Sequence, residues 1–302
     1  MDNHSIIVKD YVKKFKNFTI KDINFVVNPG KIHAIIGPSG SGKSVIMKSI
    51  IGALKKYEGS IRVNGYKAGS VKANFNIGFC LNLEHFPSGI SAFEYLLSLA
   101  KTAGLSSRDA KARVKELMII FDLWKDYKKK VTSFSSGMKN RLMLIQAIVH
   151  DPDIVILDEP GANLDSKNRK FLNNFLLELK RRGKTVFFST HLLNEVKDLI
   201  DECTIISYGK LIYTGLMGPF NVNKIFVLKT NNNRLIVRYL KHRRISYFYN
   251  NLAKEIILRV NHVLELNRLF NFAIFNKVII LSVKDYELTL EYMQNKLHHS
   301  KQ

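Results

Sequence analysis

Residues 37–44 read GPSGSGKS and fit the pattern G-x-x-x-x-G-K-[ST]. An apolar run, IHAII, precedes them, and a helical pattern starts at about Lys43. That setting, a strand before and a helix after, turns a pattern match into a site. Gly37, Gly40 and Gly42 let the backbone curl, so that the loop through Pro38, Ser39 and Ser41 turns its N–H groups inward. The start of the helix adds partial positive charge. Lys43 is expected to reach the β- and γ-phosphates of a nucleotide, and Ser44 to place its hydroxyl on Mg²⁺.

A second run, DIVILDEP (153–160), ends in two carboxylates. In a parallel sheet ligands bind beyond the carboxyl ends of strands. Asp158 is therefore expected beside the metal, and Glu159 beside the water that attacks a phosphate.

Between these runs strands alternate with helices. Strands read at 5–10, 23–27, 31–37, 60–65, 76–81, 153–158, 184–190, 203–209 and 210–215. Helices read at 43–51, 92–122 with a break near GLSS (104–107), 136–150, 166–182 and 193–200. This is an α/β chain with a largely parallel core sheet, a small antiparallel β layer and an inserted helical subdomain at about 83–152. Gly218 and Pro219 mark a shift in composition. Residues 1–216 are expected to form the main domain and 217–302 a small α+β accessory domain, with RLIVRYL (234–240) as one of its strands.

Composition narrows the partners. The net charge is +22 over 302 residues, which favours anionic partners. The two cysteines, Cys80 and Cys203, lie in strand-like runs without metal-ligand spacing and are expected as apolar fillers. No stretch reaches the about 18 apolar residues of a membrane helix. The N-terminus MDNHSIIVKDYVKK lacks the apolar core of a signal peptide. His33, inside an apolar strand, is expected to be structural.

The remaining motifs spell a family. FSSGMKNRL (134–142), EPGANLD (159–165) and STHLLNEV (189–196) stand in the order of signature, D-loop and switch histidine. With the phosphate loop they resemble the ATP-binding subunits of ABC transporters, in particular the drug and bacteriocin exporter branch. The resemblance covers about residues 5–216. It implies a P-loop NTPase fold with a RecA-like core, and ATP and Mg²⁺ as ligands. It also implies head-to-tail pairing with a second ATP-binding subunit and coupling to membrane-spanning permease subunits. A location at the cytoplasmic face of the membrane goes with that coupling. Residue by residue, the resemblance implies that Ser135, Ser136 and Gly137 contact ATP bound on the opposite subunit. Asp165 would sit in the D-loop, His191 would hold the γ-phosphate and water, and Phe15 would stack on adenine. Asn82 stands where the family has a metal-touching glutamine. Ser136 replaces a signature glycine, Met138 stands where many members have glutamine, and Asn163 replaces a D-loop glycine. These departures bear on coupling, but none removes a charge that hydrolysis requires. An ABC ATPase acting on nucleic acid or the ribosome is the alternative that the charge allows. The single ATPase domain, without coiled-coil or zinc inserts, argues against nucleic acid as partner.

Overall fold

The strand β3 (Ile32–Ile36) is buried at all five positions. A strand in a solvated sheet would alternate, so β3 must have neighbours on both edges and cover on both faces. The computed structural model shows this. It describes residues 4–80, 86–162, 164–217, 225–251, 253–260 and 263–285. The chain divides into two units, Met1–Met217 and Gly218–Gln302.

In the first unit β3 lies between β8 (Thr185–Thr190) and β9 (Glu202–Ser207), parallel to both. Beyond β8 come β7 (Ile154–Leu157) and β6 (Ile77–Cys80), again parallel. Beyond β9 the sheet turns antiparallel at β10 (Lys210–Leu216). It continues into β2 (Thr19–Val27), β1 (Ile6–Lys14), β4 (Glu58–Val63) and β5 (Tyr66–Lys67). The order β5-β4-β1-β2-β10-β9-β3-β8-β7-β6 joins the expected antiparallel layer and parallel core in one sheet. The seam is thin, since β2 and β10 pair only at Lys21 and Lys210. Ile6, Ile20, Ile23, Ile35, Ile46, Ile50 and Phe187 pack in one core beneath helix α1 (Lys43–Ile50). Burying each such side chain is worth about 1.5–3 kcal/mol.

Ahead of β6 lies the short α2 (Val71–Phe75). The helical stretch after β6 is two helices, α3 (Ala92–Thr102) and α4 (Ser107–Ile120), parted at the expected break. Ser91 and Glu94 form a capping box at the start of α3, and Ser106 caps α4. Then come α5 (Ser136–Ile148), α6 (Ser166–Arg181) and the short α7 (Leu193–Val196).

The second unit runs β11 (Ile225–Thr230), α8 (Asn233–His242), β12 (Tyr247–Asn250), β13 (Glu255–Arg259), α9 (Val263–Phe275) and β14 (Ile280–Asp285). Its sheet order is β12-β13-β11-β14, with antiparallel neighbours throughout. This is the split β-α-β-β-α-β arrangement. It corrects one expectation, because RLIVRYL is the helix α8 and not a strand. Ile236, Tyr239 and Leu240 are buried at a spacing of three and four residues, and Arg234 and Arg238 are exposed. The side chain of Asn232 accepts from the Leu235 amide at 3.2 Å and caps the first turn. A 3.6-residue period with a cap outweighs the strand preference of Ile, Val and Tyr. The stretch 285–297 reads as helical in sequence; Asp285 ends β14, and the rest lies outside the described residues.

Candidate nucleotide site

Three strands that are distant in sequence end side by side. Ile36 of β3 pairs with Thr190 of β8, and Leu157 of β7 pairs with Phe188 of β8. The segments leaving these strands must therefore emerge on one edge, at the carboxyl ends. They are the phosphate loop after β3, His191 after β8, and the pair Asp158–Glu159 after β7. The Gly37 amide donates to the Thr190 carbonyl at 3.3 Å, tying the loop to the histidine strand.

The loop's shape comes from its glycines. A side chain at Gly37 would run into the Ile206 carbonyl and the Ser41 hydroxyl. Gly42 holds φ at 108° and caps α1 without any side chain, and no acidic residue sits in the first turn. That helix start suits an anion. Lys43 is buried, and its Nζ donates to the Gly37 carbonyl at 2.8 Å and the Pro38 carbonyl at 3.1 Å. Ser41 Oγ is buried with no hydrogen-bond partner among the described residues. A buried hydroxyl without an acceptor, beside a buried ammonium, fits phosphate oxygens. Phe15 and Phe18 line a groove with Gly40, Gly42, Lys43 and Ser44. Phe15 stays exposed there, with Lys13 Nζ 5.5 Å from its ring centroid.

Glu159 is the hub. Its Oε1 lies 3.3 Å from Lys43 Nζ, and its Oε2 lies 2.8 Å from His191 Nδ1. Its backbone sits at φ 48°, a left-handed conformation that costs a non-glycine residue about 1–3 kcal/mol. Ser189 holds it there. The Glu159 amide donates to Ser189 Oγ at 2.7 Å, and the Ser189 hydroxyl donates to Asp158 Oδ1 at 2.6 Å. One buried hydroxyl thus orients both acidic residues. The motifs did not single out Ser189 for this position. The available signal was a hydroxyl inside TVFFST, a strand buried at every position.

The signature residues lie elsewhere in the unit. Ser135 caps α5, accepting from the Met138 amide at 3.3 Å, and Ser135 and Ser136 are exposed. Among the described residues neither they nor Gly137 hydrogen-bond to the phosphate loop. Asn140 Nδ2 donates to the Pro160 carbonyl at 3.2 Å and links α5 to the acidic strand. Asp165 is the cap of α6, with Oδ1 accepting from the Asn168 amide at 2.7 Å and Oδ2 from Asn168 Nδ2 at 3.1 Å. Arg141 Nη2 donates to Asn168 Oδ1 at 3.3 Å, so Asn168 joins the two helices. Asn82 and Asn163 lie outside the described residues.

His33 is structural, as expected. Its Nδ1 lies 3.3 Å from Glu202 Oε2 and its Nε2 lies 2.8 Å from Thr204 Oγ1. Burial pushes the Cys80 and Cys203 thiols up to about 12, which suits inert fillers.

Comparison with known proteins gives the family. The ABC transporter family profile matches residues 20–162. A protein of Mycoplasma pneumoniae described as an ABC transporter ATP-binding protein is 34% identical over 248 residues, 80% of this chain and 76% of that one. The linearmycin resistance ATP-binding protein LnrL of Bacillus subtilis is 29% identical over 296 residues, 94% of each chain. The solved structure of an ATP-binding subunit of an ABC transporter superposes with a TM-score of 0.65 at 28% identity, covering 71% of this chain and 90% of that one. The chain belongs to the ABC transporter ATP-binding proteins, as an ATP-binding and ATP-hydrolysing subunit.

Proposed function

We propose that this subunit drives export through separate membrane-spanning chains, by closing and opening a head-to-tail pair of ATP-binding subunits. The observation that carries the hydrolytic part is the Glu159 carboxylate, held between Lys43 and His191. Phosphoryl transfer to water needs an acceptor aimed at the water and positive charge on the phosphate. Glu159 supplies the acceptor. Lys43 and the loop amides bind the β- and γ-phosphates. His191 keeps the Glu159 carboxylate turned toward the γ-phosphate, and Ser189 keeps its backbone in place. Phe15 stacks on adenine and adds affinity without touching the reacting atoms.

Among the described residues no group of three or more His, Cys, Asp or Glu could hold a metal by itself. That suits Mg²⁺, which takes few protein ligands and leans on substrate phosphates. Ser44 and Asp158 would hold it, each next in sequence to a member of the Lys43–Glu159 pair. When bound it neutralises phosphate charge.

Pairing explains the signature's place. Ser135 and Ser136 stand exposed at the start of α5, with Gly137 half-buried beside them, where the three serve ATP held by a second subunit. The permease contact is a groove between α2, α3 and the end of α5, lined by Val71, Phe75, Phe79, Leu99, Gln146 and His150. Val71 is 85% exposed and Phe75 68%. Such a patch suits a short helix of a membrane partner. Among the described residues no helix is long and apolar enough to cross a membrane. The permease partnership places the subunit peripherally, at the cytoplasmic face. Export as the direction rests on the exporter-like signature and on a resistance protein aligning over 94% of both chains.

The test is Glu159→Gln, read by light scattering and by phosphate release. With ATP and Mg²⁺ the variant should accumulate as a dimer with ATP retained. A variant that stays monomeric at saturating ATP overturns the pairing. One that still hydrolyses ATP at the parental rate overturns the role of Glu159.

A further inference from the structure

The second unit carries a surface that the nucleotide site does not use. Its sheet is covered on one face by α8 and α9. The sheet residues in their shared core, Leu228, Ile256 and Leu258, all point to that face. The two helices meet where Tyr239 and Phe272 stack, 4.3 Å between ring centroids.

The outer side of this helical layer is basic. Arg234, Arg238, Lys241 and His242 are exposed at positions i, i+4, i+7 and i+8, one stripe of α8 opposite the buried Ile236, Tyr239 and Leu240. Arg243 and Arg244 extend the stripe past the helix end. No acidic residue occurs from 233 to 244, and among the described residues none of these cations is in an ion pair. The neighbouring stripe of α9 exposes Leu264, Arg268, Ile274 and Phe275. Ile274 is 72% and Phe275 88% exposed. The one acidic residue of α9, Glu265, is half-buried.

Unpaired cations beside exposed apolar side chains form an interfacial surface. Cations attract anionic head groups, and the apolar tips enter the boundary below them. A nucleic-acid surface would need the cations, but it would not call for aliphatic Leu264 and Ile274 beside them. We infer that the outer face of α8 and α9 is a docking surface for anionic phospholipid. It gives this subunit a membrane contact of its own, separate from the permease groove.

The experiment is co-sedimentation of the full chain with vesicles. One set is pure phosphatidylcholine, and the other contains about 30% phosphatidylserine, enough to give an inner-leaflet-like surface potential. Binding should require phosphatidylserine and weaken as salt rises. The triple variant Arg234→Gln, Arg238→Gln, Lys241→Gln should lose about a hundredfold in affinity, at roughly fivefold per cation. Replacing both arginines by lysine should keep binding, because head-group attraction needs charge and not a guanidinium fork. Ile274→Ser with Phe275→Ser should weaken binding at unchanged charge. ATP hydrolysis in solution serves as the fold check and should be unchanged in all variants. Equal binding to both vesicle types, or a triple variant that sediments like the parent, overturns the inference. So does binding to a single-stranded oligonucleotide through the same cations without binding to vesicles.

Discussion

Among the described residues, the first unit contains two glutamate–histidine pairs, and they behave in opposite ways. Glu159 and His191 meet at 2.8 Å beyond the strand ends, with side chains 21% and 41% exposed. Glu202 and His33 meet at 3.3 Å inside the sheet, 7% and 1% exposed. The inner pair is closed. The Glu202 carboxylate can only accept, so His33 Nδ1 carries the proton. The neutral ring then accepts at Nε2 from Thr204, which in turn contacts Thr214 at 3.1 Å. Asn28 donates to the other Glu202 oxygen at 2.6 Å. The outer pair is more exposed, at the ends of the strands, with a buried Lys43 at its side. The same two residue types make scaffold where neighbouring side chains fill their hydrogen bonds, and a candidate reaction centre where a buried ammonium and the phosphate loop stand beside them.

The sharpest way to break this contrast is to neutralise each glutamate's partnership in turn. Glu159→Gln should lower ATP turnover by about a hundredfold or more, the range for loss of a positioned base. Its melting temperature should change little. If turnover persists, the outer pair is not the reaction centre.

His33→Ala should do the reverse. It removes one of the two side-chain donors that hold the buried Glu202 carboxylate, at a cost of about 1–3 kcal/mol of unfolding free energy. Turnover per folded molecule should be near the parental value. Chemical denaturation read beside ATPase activity separates the two effects. His191→Ala, at an exposed position, should lower turnover and leave stability within about 0.5 kcal/mol.

Acid should find the inner pair first. Burial holds His33 below its ordinary value, with the Glu202 hydrogen bond opposing. The folded chain therefore keeps the ring neutral, whereas the unfolded chain takes up a proton below about pH 6.5. Stability is lost as pH falls through that region. Burial works to raise the Glu202 carboxyl, but hydrogen bonds from His33 and Asn28 outweigh it and hold the group low. Its contribution is present above about pH 4.3 and is lost on further acidification. His150, also held low by burial, acts in the same direction as His33. Melting temperature should fall between pH 7 and 5, and His33→Gln should show a shallower fall over that range. Equal slopes would remove His33 from the account.

Smaller effects sharpen the outer site. Ser189→Ala should lower turnover about tenfold by freeing the two acidic residues, the scale of a lost positioning contact. Phe15→Ala should raise KM for ATP about fivefold with kcat unchanged, the value of one aromatic stack. A fall in kcat instead would place Phe15 nearer the chemistry.

Much of the first unit is legible in order along the chain. GPSGSGKS is a local device, because glycine conformation and a strand-to-helix turn need no distant partner. DIVILDEP can be read as a strand with its acids at the carboxyl end, since burial on both faces shows as an unbroken apolar run. The second unit is less legible. RLIVRYL offers both a strand composition and a helical period, and packing of Ile236, Tyr239 and Leu240 against the sheet chooses the period. Ser189 and Asn168 give little signal, because a single hydroxyl or amide has no pattern of its own.

By itself the sequence determined the phosphate loop, the identity of the acids and the family, because these depend on residue type at short spacing. Only the tertiary structure decided that Lys43, Glu159 and His191 converge, that Asp165 spends its carboxylate capping α6, and that His33 is sealed against Glu202. Those outcomes depend on which strands lie side by side. β3 takes β8 and β9 as neighbours rather than β2 or β4, and that pairing is set by burial across the whole sheet rather than by any short stretch of chain.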